Sequence, residues 1–236
     1  MALARSNGEW KLSVVIAYLC KDFSIIATDT LVTHSNGYQE ESNDKIMQIY
    51  EHGMGFMSGT GSAEVKKSAY NYIKNSTERN MDNLFRGAYR ASYHDGDFAN
   101  IVVSYMTKNG PRITLILSNG DFGPIEQDRF LILPPSDILE DKFPAWIIDS
   151  LEYEYDGNYN GFLIKLGELF SYFSDNSSCV SSKIRYGLHY YFKGTGDNIR
   201  RREGSHPHVS AMINNATNKA YEAIEHEVNT HTHYKY

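Results

Sequence analysis

Asp29 closes an apolar stretch in Ala27-Thr28-Asp29, and Lys45 opens another in Asn43-Asp44-Lys45-Ile46. A carboxylate just past a buried strand often accepts hydrogen bonds or orients a base. A lysine at a strand start can supply a fixed cation. Ser58-Gly59-Thr60-Gly61 then leads into a helical pattern, where backbone N–H groups point at whatever anion sits before them. Each feature alone has a plainer reading: a strand-end cap, a solvated amine, a turn that needs small residues.

Other spacings carry less chemistry. His226, His231 and His233 lie among Glu222, Glu225 and Glu227, but His226-Glu227 is followed by His231 one residue too late for the zinc helix motif. Gly194-Thr195-Gly196 lacks the third glycine and the helix of a dinucleotide turn. The basic run Arg200-Arg201-Arg202, followed by Glu203-Gly204, reads as a solvated turn. No cofactor and no metal site is expected.

The elements that must position these residues follow from periodicity. Ser13–Leu19 and Phe23–Thr28 are β-branched and aromatic runs separated by Cys20-Lys21-Asp22, a hairpin signal. Lys45–Tyr50 and Gly55–Ser58 flank Glu51-His52-Gly53 as a second hairpin. From Ser62, a suitable N-cap, Val65, Ala69, Tyr72 and Ile73 fall at helical spacing, and Met81–Ser92 reads as a second helix. Strands return at Asn100–Thr107, Arg112–Leu117 and Arg129–Leu133; Asn109-Gly110 marks the turn between the first two. Helices follow at Ser136–Glu154, with Pro144 kinking or splitting it, and at Asn160–Ser174. Lys183–Phe192 is a strand and Val209–Glu227 an amphipathic helix, ending in a polar tail at Asn229–Tyr236. Two sheets with one helical layer each satisfy that order, so an α+β fold, a four-layer α-β-β-α sandwich of two antiparallel sheets, is expected.

Bulk properties narrow the function classes. A chain of 236 residues suits one ordinary domain. A net charge of −6 argues against a nucleic-acid partner. Two cysteines, Cys20 and Cys179, are too few for a disulfide framework. With no secretory signal pattern before Leu12 and no membrane-length apolar run, the expectation is a soluble cytoplasmic protein.

Asp29, Lys45 and Gly59 also resemble a known pattern. In proteasome β subunits and their simpler bacterial relatives, which are Ntn hydrolases, an N-terminal Thr or Ser is followed sixteen residues on by Asp. A Lys comes sixteen further and a Gly fourteen beyond that. The same ungapped intervals here select Ser13, Asp29, Lys45 and Gly59. Ile25-Ile26-Ala27-Thr28-Asp29 and Gly55-Phe56-Met57-Ser58-Gly59-Thr60 match the local texture. The resemblance implies a peptidase working through an acyl-enzyme on Ser13, with residues 13–236 as its domain and residues 1–12 removed as a propeptide. It implies that Lys45, held by Asp29, activates the nucleophile and that the Gly59 N–H stabilises the oxyanion. It further implies a supporting Asp and Ser three apart near a late helix-to-strand turn, which Asp175 and Ser178 would supply. Peptide or unfolded protein as substrate, a homo-oligomeric ring and a separate ATPase partner are implied on the same ground. Leu12 stands where the family has a glycine before its cleavage point, and Val14 where a second Thr is common. Two alternatives therefore stand beside the peptidase: a non-catalytic structural subunit that keeps its N-terminus, and an amidase acting on a small amide.

Overall fold

The computed structural model describes residues 13–206, apart from residues 22, 34–36, 43, 50, 94–96 and 195. The expected helix at Val209–Glu227, the histidine-rich tail and the segment before Ser13 lie outside the described residues. Strand β1 (Val15–Leu19) pairs antiparallel with β2 (Phe23–Asp29), the hairpin expected from their apolar runs. A short hairpin of β3 (Leu31–Thr33) and β4 (Gln39–Glu41) forms its own two-stranded sheet. Then come β5 (Met47–Gln48) and β6 (Met54–Gly61), followed by helices α1 (Ala63–Asn75) and α2 (Met81–Ser92). Strands β7 (Ala99–Thr107), β8 (Gly110–Ile116), β9 (Phe122–Pro124) and β10 (Arg129–Leu133) precede α3 (Ala145–Leu151) and α4 (Tyr159–Asn176). The long strands β11 (Ile184–Gly194) and β12 (Gly196–His206) complete the described chain.

Two five-stranded antiparallel sheets result, ordered β10-β1-β2-β11-β12 and β5-β6-β7-β8-β9. The α+β class with antiparallel sheets is as the sequence indicates. Three apolar clusters account for the layering. Ile16, Tyr18, Ile25 and Phe130 of the first sheet pack against Ile147 of α3 and Phe162, Leu166 and Phe170 of α4. Their strand neighbours Val15, Ala17, Leu19 and Ile26 turn the other way and meet Phe56, Val102 and Ile113 of the second sheet. The outer face of that second sheet, through Met57, Ile101 and Val103, is covered by Val65, Ala69 and Ile73 of α1 and Leu84, Phe85 and Ala88 of α2. Both faces of β1 and β2 are thus buried, which is why these strands read as continuous apolar runs and not as alternation.

Local chemistry fixes the boundaries. The Ser62 hydroxyl caps α1 through the Val65 N–H at 3.5 Å, and the Asn80 side chain caps α2 through the Asn83 N–H at 3.1 Å. Three sequence expectations change. The helix expected from Ser136 begins only at Ala145, with Pro144 as its N-cap; a residue before proline avoids the α-region, so Phe143 cannot carry a helix through. The strand expected at Lys45–Tyr50 shortens to Met47–Gln48. The arginine run at 200–202 is no turn: it lies within β12, paired with Leu188, His189 and Tyr190 of β11.

Candidate functional site

The ends of β1, β2 and β5 meet beneath the start of α1. Asp29 is the last residue of β2, fully buried, and its position is set by pairing on both sides: β2 pairs with β1 through Thr28 and Val15, and with β11 through Asp29 and Ile184. Four donors converge on its carboxylate. Lys45 Nζ donates to Oδ2 at 2.8 Å, Leu31 N to Oδ2 at 2.9 Å, Ser181 N to Oδ2 at 3.4 Å and Val14 N to Oδ1 at 3.2 Å. The Lys45 side chain is only 8% exposed. Burial pushes its ammonium below the usual lysine range, and the charge and hydrogen bond of Asp29 pull it back. Burial likewise pushes the Asp29 carboxyl up, opposed by Lys45 and the backbone donors.

A second acidic group sits one shell away. The Thr30 hydroxyl donates to Oε2 of Glu41, and the Ser181 hydroxyl donates to Oε1 at 3.2 Å. Lys183 N in turn donates to the Ser181 hydroxyl at 2.9 Å. The β3–β4 hairpin is thereby tied to the start of β11, directly beside Asp29.

Ser13, also buried, lines a cavity of about 530 Å³ together with Lys45, Ile46, Met47 and Lys66. The structure therefore brings Ser13, Asp29 and Lys45 together. Gly59 lies inside β6, not in the turn that leads into α1; the strand runs on to Gly61, whose φ of +90° suits a residue without a Cβ. Since Ser62 N donates to Phe98 O, the alternation of an antiparallel ladder turns the N–H of Gly59 away from β7, toward the edge on which Lys45 lies. The Ser58 hydroxyl reaches the Lys45 carbonyl across that edge at 2.8 Å. A Cβ on Gly59 would come within 2.3 Å of the Asn100 carbonyl, so the position needs glycine for packing as well.

Asp175 and Ser178 are placed differently. Asp175, in the last turn of α4, lines a surface groove with Trp146, Lys165 and Tyr172 and is not among the residues of the Ser13 cavity. Ser178 accepts a hydrogen bond at its carbonyl from Gln39 Nε2 at 3.1 Å. The residue that reaches Asp29 from this turn is Ser181, three further on, which sequence reasoning missed along with Thr30 and Glu41. The second serine doublet, Ser181-Ser182, just before β11 was the available signal. Among the described residues no group of His, Cys, Asp and Glu could hold a metal ion, and no helix is long and apolar enough to cross a membrane.

Fold and site together define an α+β protein built on two five-stranded antiparallel sheets, with a buried Asp–Lys pair at the end of one of them. No protein-family profile and no curated protein matches the chain. Solved structures do. Anbu from Hyphomicrobium sp. strain MC1 matches with a TM-score of 0.62 at 14% identity, over 94% of this chain and 100% of that one. The Gly-1 mutant of the same protein matches with a TM-score of 0.60 at 15% identity, over 95% and 100%. Anbu from Yersinia bercovieri, described as an ancestral beta-subunit, matches with a TM-score of 0.60 at 13% identity, over 94% and 99%. These matches correct the family resemblance drawn from the spacing: the neighbours are Anbu proteins, related to the proteasome but a distinct family, and at such identity the likeness is one of fold.

Proposed function

We propose that this protein is an Anbu-like hydrolase that cleaves peptide amide bonds through an acyl-enzyme on Ser13, with its helices and sheets stacked as a four-layer α-β-β-α sandwich. The observation that carries the reading is the buried Lys45–Asp29 ion pair at 2.8 Å beside a cavity lined by Ser13. A charged pair withdrawn from water is costly unless well hydrogen-bonded, and the four donors on Asp29 meet that requirement. Such a pair fixes a cation beside a hydroxyl that lacks nucleophilicity of its own.

In this reading the bond after Leu12 is cut and the freed α-amine of Ser13 is the base. An α-amine has an ordinary pKa of about 8, so a useful fraction is neutral near pH 7. The amine takes the hydroxyl proton as Oγ bonds to the substrate carbonyl carbon, and the ammonium of Lys45 favours the developing alkoxide. The N–H of Gly59 donates to the oxyanion; one such donor is worth about 3 kcal/mol. The carbon–nitrogen bond then breaks, the leaving amine takes the proton, and water hydrolyses the Ser13 ester. The homo-oligomeric assembly suggested by the Anbu neighbours belongs to the same proposal.

Intact-mass spectrometry together with fluorogenic peptide hydrolysis tests it. The expected result is a species beginning at Ser13 that cleaves peptides and loses that activity in Ser13→Ala. A chain with Ser13 exposed that cleaves no peptide in a broad panel overturns the peptidase reading.

A further inference from the structure

Strand β4 serves two sides. Successive residues of a strand point to opposite faces, and here Glu40 lines the Ser13 cavity while its neighbour Glu41 is not among the residues that line it. Glu41 reaches instead toward the start of β11. The Thr30 hydroxyl donates to its Oε2, and the Ser181 hydroxyl donates to its Oε1 at 3.2 Å. These two hydroxyls lie 3.2 Å from each other and belong to buried residues, 5% and 9% exposed. One carboxylate therefore supplies an acceptor to each of two hydroxyls withdrawn from water.

Both hydroxyls sit on backbone that holds the Asp29 carboxylate. Thr30 lies between Asp29 and Leu31, whose N–H donates to Asp29 Oδ2 at 2.9 Å, and Ser181 gives its own N–H to the same oxygen at 3.4 Å. Clamping Thr30 against Ser181 thus sets the position of two of the four donors on Asp29. The hairpin is fastened further out as well. Gln39 Nε2 donates to the Ser178 carbonyl at 3.1 Å, and Lys183 Nζ stands 3.8 Å from Glu41 Oε1. At Lys45, burial pushes the ammonium below its ordinary range, Asp29 opposes this most strongly, and the Glu41 charge adds to that opposition.

We propose that Glu41 is a positioning residue of the Ser13 site: by clamping Thr30 to Ser181 it holds the backbone donors on Asp29, and through Asp29 the ammonium of Lys45. The inference rests on the peptidase reading for its effect on rate, but the clamp itself is a property of the folded chain. Because Glu41 does not line the cavity, its loss misplaces Lys45 without altering a cavity wall.

The test is Glu41→Gln in the full chain, which offers one oxygen where the carboxylate offers two. Amide hydrogen exchange followed by NMR reads the clamp without any activity. The Leu31 and Ser181 amides are expected to exchange about tenfold faster in the variant, with the Ile25 and Ile26 amides inside β2 unchanged. In peptide hydrolysis, kcat is expected to fall about tenfold or more while KM stays within about twofold. Adding Glu41→Gln to a chain that already carries Thr30→Val and Ser181→Ala is expected to change neither readout further, since the clamp is absent there. Thermal melts establish that each variant is folded. Thr30→Val alone, with Glu41 intact, is expected to give the same pattern more weakly, and it tests the clamp if Glu41→Gln does not fold. Unchanged exchange at Leu31 and Ser181 overturns the proposal, as does an equal acceleration at every amide or a kcat that Glu41→Gln leaves unmoved. Faster exchange at those two amides, in a chain that cleaves no peptide even when unmodified, would instead sink the peptidase reading alone.

Discussion

Ser181 N and Lys45 Nζ donate to the same oxygen of Asp29, at 3.4 and 2.8 Å. One donor comes from the turn before β11 and the other from the approach to β5, so a single carboxylate ties the two five-stranded sheets together at the site. Removing the charge of either partner tests what that junction is worth.

Lys45→Met leaves Asp29 buried without its counter-cation. Breaking a buried pair in this way is expected to cost about 3–5 kcal/mol, read as a lower urea midpoint with an unchanged slope. The variant also gains a pH dependence. Burial raises the Asp29 carboxyl, so without Lys45 the folded state holds a proton that the unfolded chain releases near pH 4. The contribution of this group to stability is therefore fully present below about pH 4 and is lost as pH rises through the Asp29 titration. Equal destabilisation at pH 5 and pH 8 would contradict this account.

Tyr18 provides the second pH prediction. Its single hydroxyl proton is shared between Asp128 Oδ1 and the Tyr153 carbonyl, each at 3.1 Å, within the aromatic cluster of the first sheet and α4. Burial, with the Asp128 charge beside it, pushes its pKa above the ordinary tyrosine value. Above pH 10 the unfolded chain loses this proton while the folded chain retains it, so stability falls by about 1.4 kcal/mol per pH unit from this group. Tyr18→Phe is expected to flatten the alkaline limb of a denaturation series between pH 9 and 11.

Gly187 tests the contact between the sheets. A Cβ there would fall 2.2 Å from the Phe56 ring, and neither β11 nor β6 can yield without disturbing its neighbours. Gly187→Ala is expected to cost about 1–3 kcal/mol, seen as a lower melting temperature. The double variant Gly187→Ala with Phe56→Leu should recover part of that loss.

Ser181→Ala separates two kinds of contact at Asp29. The backbone N–H that reaches Asp29 is kept, while the hydroxyl bonded to Glu41 is lost. The expected outcome is a stability loss of about 1 kcal/mol by urea denaturation, with peptide hydrolysis reduced less than in Asp29→Asn. A larger activity loss in Ser181→Ala than in Asp29→Asn would reverse that order.

How much was legible follows from how local each signal is. Helix α1 announces itself through the cap Ser62 and a regular apolar face, whereas the cap of α2, Asn80, emerges only from the structure. Strands β1 and β2 are dense in β-branched and aromatic residues because the interior surrounds them, and edge strand β10 stands out by its apolar run from Phe130 to Leu133. The β3–β4 hairpin is not legible: Gln39–Glu41 is polar and exposed, and its order comes from Glu41 reaching Thr30 and Ser181. Strand β12 carries three consecutive arginines and is specified by its ladder with β11, not by its own composition. At the site, Asp29 and Lys45 stand out because each borders an apolar run. Ser181 meets Asp29 across 152 positions, through the register of β2 with β11, which no local pattern encodes.

The register of β1 bears on how the proposed processing would act. Among the described residues, its pairs with β2 and β10 begin at Val15. In the proposed reaction the cut after Leu12 changes one functional group, an amide into an amine, two residues ahead of the first ladder pair and next to the Val14 N–H that already holds Asp29. Arming, on that reading, asks no strand of the described sheet to change partner.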